Sequence, residues 1–448
     1  MKNNARRIRN IIINLITIAI IIVAIVVYRK FDFNFYTKGV VDDGITQFTR
    51  DSQIKYSQTR SYKIENTEEN DAMFFKEISV TPNTPYKVTC MVKTENVKNS
   101  DNNPMAGAQI CVNRTEEHSI VLSGDNDWTK VEFMFDSKSN DTVEIGFRLG
   151  GNLLRASGTA WFSDLTIEQG IPDKTNTWNF GCFIIENIDA QAGSKVVDVS
   201  LTYNQKQEVN ENIAKFKNSI EDMSNGKIDV EYEVINITEP LTTLSYEEDN
   251  GYYISEKDIY PLINDYVQAK EFDHIFICTN LPLESELIGE DVSEWIGLGN
   301  MIYLGKGFSN IRVMDESYNY AGKDTFPEEV YIHEFLHTLE RNAGENGYEI
   351  PELHDYDKYG YYEDRYYGLK QWYTDYMNKN IKDNGTLVGL PAEIFTMKPP
   401  TLKDFEFGTE LDLLDEPSNI IETIQSIIEK IQSMFETTNT TYQAEGVA

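Results

Sequence analysis

Residues 325–343 read TFPEEVYIHEFLHTLERNA. Thr325 and Glu328 make a capping-box pair, Pro327 falls in the first turn, acids gather at the amino end, and Arg341 followed by Gly344 marks the stop. The spacing therefore predicts a helix. Ile332, Phe335, Leu336 and Leu339 would face a core. His333 and His337 lie four apart, one turn above each other, so both imidazoles reach a single Zn²⁺ at roughly 2.0–2.1 Å. Glu334 is offset by about 100° around the helix axis. Zinc lowers the pKa of a water it holds to roughly 7, and Glu334 is placed to take that proton, which leaves a nucleophile for a peptide carbonyl.

The chain has only five histidines, and His333, His337 and His354 fall close together while His118 and His274 are scattered. Gly344 and Gly347 release the chain from the helix, so a return loop brings His354 to the metal as the third imidazole. Glu340, Asp355, Asp357 and Glu363 are the alternatives. Glu340 leads them, because it sits one turn beyond His337 and would otherwise orient an imidazole from outside the metal. In the same loop Tyr356, Tyr359 and Tyr361 are the oxyanion donors to consider, with Tyr359 taken as catalytic.

Upstream, CFIIENI, KVVDVSL, IDVEYEV and HIFIC are strand-like, and Val209, Ile213, Phe216, Ile220 and Met223 form a helical stripe ended by Gly226. A second helix turns Ile259, Leu262, Ile263, Tyr266 and Val267 inward, and the short runs NMIYL and NIRVM follow a long loop. Alternating strands and helices predict an α/β domain on a twisted sheet. The segment 181–400, matched at His-Glu-x-x-His over 333–337, resembles zinc-dependent metallopeptidases of the zincin type. The resemblance implies an edge strand, NMIYL or NIRVM, that holds an extended peptide by β-augmentation. The longer metzincin pattern is not matched, since its Gly and third His would fall at Glu340 and Ala343. Met397 is the residue that would form the apolar floor metzincins place under their metal.

Residues 33–169 have period two instead: Tyr86, Val88, Cys90 and Val92; Val131, Phe133 and Phe135; Val143, Ile145, Phe147 and Leu149; Trp161, Leu165 and Ile167. Turn clusters separate these runs, which predicts an all-β antiparallel sandwich. The order SYKIEN, ISVTPNTPYKVTCMVKTENV, SGDNDWTKVEFMF, VEIGFRLGG and SGTAWFSDLTIEQ resembles the jelly-roll carbohydrate-binding modules of bacterial glycan-degrading enzymes, of the family 4 and 9 type. It implies a glycan partner stacked on Trp128, Trp161, Tyr86 or Tyr62, with Asp164 helping to hold a structural Ca²⁺. The competing reading makes Trp128 and Trp161 core anchors, Trp161 being in phase with Leu165 and Ile167. Residues 170–180, with Pro172, form the linker between the two domains.

At the amino end, Lys2, Arg6, Arg7 and Arg9 precede an apolar run from Ile11 to Val27. The run just spans a bilayer core of roughly 30 Å as a helix, so residues 1–30 are expected to be a cytoplasmic basic stub and a single transmembrane signal anchor, with the bulk outside the cell. A signal peptide cleaved at an atypical site is the competing reading. Residues 401–448 form an acidic connector, an amphipathic helix with Ile420, Ile424, Ile427, Ile431 and Met434 on one stripe, and a tail.

Forty Lys and Arg against 73 Asp and Glu give a net charge of −33 in 448 residues, which excludes a phosphate-neutralising surface and hence a nucleic-acid partner. Cys90, Cys111, Cys182 and Cys278 sit in β-like runs and read as buried thiols, a Cys90 to Cys111 bridge remaining open. The chain is expected to be a cell-surface, membrane-anchored zinc metallopeptidase acting on protein or glycoprotein substrates and targeted by its sandwich. The alternative is a non-catalytic glycan-binding or adhesive surface protein whose peptidase domain is degenerate.

Overall fold

Among the described residues, nine strands lie between residues 37 and 169: β1 (Thr37–Val40), β2 (Thr46–Asp51), β3 (Ser61–Asn70), β4 (Ala72–Ser79), β5 (Pro85–Asn99), β6 (Gly107–Val112), β7 (Gly124–Asp136), β8 (Thr142–Gly150) and β9 (Ala156–Gln169). The computed structural model describes residues 37–57, 59–100, 103–287, 295–315, 324–361 and 365–411. The expected signal anchor, the carboxy-terminal amphipathic helix and Glu363 lie outside the described residues. Among those described, no helix is long and apolar enough to cross a membrane.

The nine strands form two antiparallel sheets in the orders β1-β4-β8-β6 and β2-β3-β9-β5-β7. Alternation turns one face of each sheet inward, and aromatic rings fill the space between. Phe147 of β8 stacks on Phe162 of β9 with ring centroids 5.1 Å apart, and Phe48 of β2 meets Phe74 of β4 at 4.8 Å. Buried Arg148 reaches both oxygens of Asp71.

The phase expected for Trp161 fails at a β-bulge. Met91 pairs with Ser163 but Thr89 pairs with Thr166, so β9 carries one extra residue there, and Asp164 adopts φ 53°. Phe162 and Ile167 point inward on either side of the bulge, which leaves Trp161 on the outer face of the sheet that holds β9.

Beyond the sandwich lie β10 (Thr177–Ile185), the hairpin β11 (Asn187–Ala192) and β12 (Lys195–Ser200), α1 (Tyr203–Met223), β13 (Asp229–Ile237), the hairpin β14 (Ser245–Glu247) and β15 (Gly251–Tyr253), and α2 (Glu256–Ala269). They are followed by β16 (His274–Thr279), α3 (Glu284–Leu287), β17 (Gly297–Tyr303), β18 (Lys306–Arg312), α4 (Glu329–Glu345) and α5 (Arg365–Asn378), then the hairpin β19 (Ile381–Asp383) and β20 (Thr386–Val388). The main sheet runs β13-β10-β16-β18-β17, parallel except for antiparallel β17 at the edge. NMIYL therefore supplies the edge, and NIRVM belongs to the penultimate strand. The stripe of α1 is buried at Val209, Ile213, Phe216, Ile220 and Met223, and α4 buries Ile332, Phe335, Leu336 and Leu339 in the same core.

β10 starts at Thr177, inside the stretch expected as linker, and that stretch is held from both sides. Ile171 N donates to Asp404 O at 2.8 Å, and Lys398 pairs with Asp173 at 3.0 Å. Residues 398–405 thus lie across the junction, and the Lys87 ammonium of the sandwich sits 4.8 Å from the Phe405 ring.

The four cysteines are free and buried. Cys90 donates to Ser163 O and Cys111 contacts Met73 in the other sheet, so no bridge joins them.

Candidate metal centre

The helix α4 begins at Glu329 without the expected capping box. The Glu328 side chain instead accepts a hydrogen bond from Ser219 Oγ of α1 at 2.5 Å, a tertiary contact that displaces the local one. The helix ends where Gly347 takes φ 77°, with Tyr348 N bonded back to Ala343 O. This release sends residues 348–354 back across the helix. Trp372 Nε1 holds Leu353 O at 2.9 Å and Tyr376 Oη holds Pro351 O at 3.1 Å, so α5 fixes the returning loop.

The loop delivers His354 to the other two histidines. His333 Nε2 lies 3.0 Å from His354 Nε2 and 3.2 Å from His337 Nε2, and among the described residues these three form the only group of at least three close His, Cys or acid ligands.

The remaining ring nitrogens decide where the protons are. His337 Nδ1 lies 2.8 Å from Glu340 Oε2, and an ionised carboxylate only accepts, so Nδ1 carries the hydrogen. His333 Nδ1 lies 2.9 Å from Tyr373 Oη, whose one hydrogen is given to Glu329, so this Nδ1 must donate as well. Both Nε2 atoms are then bare lone pairs, 3.2 Å apart, with no proton between them. Burial, followed by the neighbouring imidazoles, also holds His333 well below the usual histidine range, and the same two influences lower His354. Three imidazoles whose Nε2 atoms converge in this way fit a Zn²⁺ that keeps a fourth position open.

Glu334 reaches the sheet edge and lines one cleft with the three histidines. It is 4% exposed, burial pushes its carboxyl well above the usual range, and the Gly299 N–H of β17 donates to it. Gly297 and Gly299 are needed for this approach, since a Cβ on either would stand 2.3 or 2.5 Å from a Glu334 oxygen. β17 itself carries a bulge between Leu298 and Met301, and Asn300 there takes φ 61°. A cleft of about 510 Å³ runs between this edge and the helix, lined by Trp295, Leu298, Asn300, Glu352 and the three histidines among others.

Several expected residues lie elsewhere. Tyr359 stacks on Trp372 at 5.8 Å and Tyr361 donates to Asp375, so packing claims both and neither lines the cleft. Glu340 is an orienting partner of His337. Met397 lies at the junction of the two halves, where its carbonyl accepts from Asn342. Tyr373 was missed, its sequence signal being only the aromatic spacing of Trp372, Tyr373 and Tyr376 on one helix.

In the sandwich, Tyr86 is 1% exposed, stacked on Phe135, with Oη accepting from Thr81 N, so it is a core residue. Trp161 is 3% exposed and donates to Asp51. Trp128 is half-buried and meets the exposed Tyr56 ring edge-on at 5.9 Å. The Asp164 carboxylate accepts from Ser57 and Ser163 hydroxyls.

No family model matches the chain, and no curated protein matches it. Among solved structures, the enzymatically active domain of bacteriophage CBA120 tailspike protein 4 is similar at 12% identity, over 31% of this chain and 20% of that one, with a TM-score of 0.24. A family 61 carbohydrate-binding module in complex with β-1,4-galactotriose is similar at 12% identity, over 30% of this chain and 89% of that one, with a TM-score of 0.23. The xylan-binding domain of Paenibacillus barcinonensis Xyn10C is similar at 12% identity, over 31% and 86% of the two chains, with a TM-score of 0.21. These likenesses, to jelly-roll folds over about 30% of the chain, are too low in TM-score to carry an argument about function.

Proposed function

We propose that the protein is a zinc-dependent metallopeptidase of the zincin type, anchored in the cell membrane with its bulk outside, and that its sandwich holds it near glycan or glycoprotein. The observation that carries the reading is the convergence of His333, His337 and His354 Nε2 beside a buried carboxylate and a sheet edge that no described strand covers. Zinc held there would act as a Lewis acid on the scissile carbonyl and acidify a water.

The protein's own groups do the rest. Among the described residues no strand pairs with the outer edge of β17, so its backbone is available to an extended peptide. Glu334, next in sequence to His333 and pinned by Gly299 N–H, holds the position of a general base. In that position it would accept a proton and later return it to the leaving amine. Wild-type protein should carry one equivalent of zinc, and Glu334→Gln should keep the metal and lose cleavage of a protein substrate. His354→Ala should lose the metal. Cleavage undiminished in Glu334→Gln overturns the reading.

The exposed Tyr56 and Trp128 pair favours a second reading, in which the chain is a surface glycan-binding protein with a degenerate peptidase domain. A purified domain with oligosaccharide affinity but no bound zinc would establish it.

A further inference from the structure

We infer that Tyr373 and Glu329 form a positioning relay that fixes the tautomer and aim of His333, and so sets the metal affinity of the site from a helix that carries no ligand. The inference rests on the zinc reading above and assigns roles to residues which that reading does not need.

The two ligand histidines of α4 are oriented in different ways. His337 gives its Nδ1 hydrogen directly to the Glu340 carboxylate, three residues on in the same helix. Among the described residues His333 has no carboxylate hydrogen-bonded to Nδ1. Its contact is the Tyr373 phenol of α5, and the carboxylate, Glu329, stands one step behind. Glu329 lies four residues before His333, one turn down the same face of α4, so the relay leaves the helix, passes through a neighbouring side chain and returns to the helix.

A phenol with one hydrogen gives this chain a direction. The carboxylate takes the phenolic hydrogen, which leaves the phenol oxygen able only to accept, which in turn obliges His333 Nδ1 to donate and Nε2 to present its lone pair. Tyr373 is 1% exposed and its ring also faces His333 at 6.0 Å, so water does not compete for these bonds. Without the relay, His333 is free to place its hydrogen on Nε2, where it would block the metal. Partners of this kind change metal affinity by about 10–100-fold when removed.

The experiment is zinc affinity by competition with a chromophoric chelator, on the full chain, for wild type, Tyr373→Phe and Glu329→Gln, with thermal unfolding of the zinc-free proteins alongside. Tyr373→Phe keeps the buried ring and should weaken zinc about 10–100-fold. Glu329→Gln keeps an acceptor but loses its charge, and should weaken zinc by less. Tyr373→Phe within about twofold of wild type overturns the relay while leaving the zinc site standing, whereas wild type that binds no zinc overturns the underlying reading. If Tyr373→Phe does not fold, Glu329→Gln decides: weakened zinc at unchanged thermal midpoint supports the relay, and unchanged zinc overturns it.

Discussion

Glu340 spans the gap between ligand and loop: Oε2 accepts from His337 Nδ1 at 2.8 Å and Oε1 from Leu353 N at 2.6 Å. One carboxylate therefore orients one histidine and positions the backbone that carries another, His354. Glu340→Gln retains an acceptor for one of these donors but removes the charge and places an NH₂ against the other. Zinc affinity should fall about 10–100-fold, with a further loss on raising temperature as the 348–354 loop opens. Chelator competition measures this, and unchanged affinity would show that His337 and the loop are held by packing alone.

Gly299 is a steric requirement of the Glu334 carboxyl. A Cβ there would stand 2.5 Å from Glu334 Oε2 and 2.9 Å from its carbonyl oxygen, distances that force either the edge strand or the helix to move. Since the nearest atoms such a Cβ would meet all belong to Glu334, Gly299→Ala should retain zinc and lose about 10²-fold in peptide cleavage, the size of effect expected when a reacting group is displaced by about an ångström. Loss of zinc in parallel with activity would refute the separation of base and metal.

The sandwich makes a contrast among its aromatic residues. Trp128→Ala removes a half-buried ring paired with exposed Tyr56, so oligosaccharide affinity measured by calorimetry should drop while stability holds. Tyr86→Phe does the reverse: it strands Thr81 N without its acceptor and should cost about 1–3 kcal/mol of stability with sugar affinity untouched. Equal sugar affinity in wild type and Trp128→Ala would exclude that pair as the platform.

Much of the site was legible because its information is local. The spacing of His333 and His337 and the apolar face of α4 follow from the helical period alone, whereas the choice between NMIYL and NIRVM as the edge strand needed the sheet order. His354 was reachable because two glycines and a short loop limit where the chain can go. Tyr359 and Tyr373 show the limit: both are tyrosines that follow the histidine cluster in sequence, and only the packing of α5 under the loop decides that Trp372 takes the first and His333 the second. Trp161 shows another. A single extra residue at Ser163–Asp164 exchanges the faces of the strand, and no period-two reading detects a bulge set by tertiary pairing. The Glu328 cap failed for the same reason, a contact to Ser219 more than a hundred residues away in sequence.

Asp273 provides a pH dependence whose sign follows from burial. It is 1% exposed at the start of β16, and burial raises its carboxyl to about 6, against opposing hydrogen bonds from Asn179 and the charges of Lys398 and Lys306. One oxygen takes the Asn179 bonds and the other has no partner. The folded chain therefore keeps a proton at pH values where the unfolded chain, with an ordinary value of 3.8, has released it. Stability contributed by this group is full below about pH 4, falls as the pH rises to about 6, and stays low above that. Asparagine at this position keeps an acceptor for Asn179 and cannot ionise. The stability of Asp273→Asn relative to wild type should accordingly increase between pH 4 and pH 7 by about 3 kcal/mol, two pKa units at about 1.4 kcal/mol each. Denaturant unfolding of both proteins at the two pH values gives the difference directly, and the histidines cancel because both proteins share them. Parallel pH profiles would mean that Asp273 is already compensated in the fold, with Lys306 beside it in register as the first group to examine by substitution.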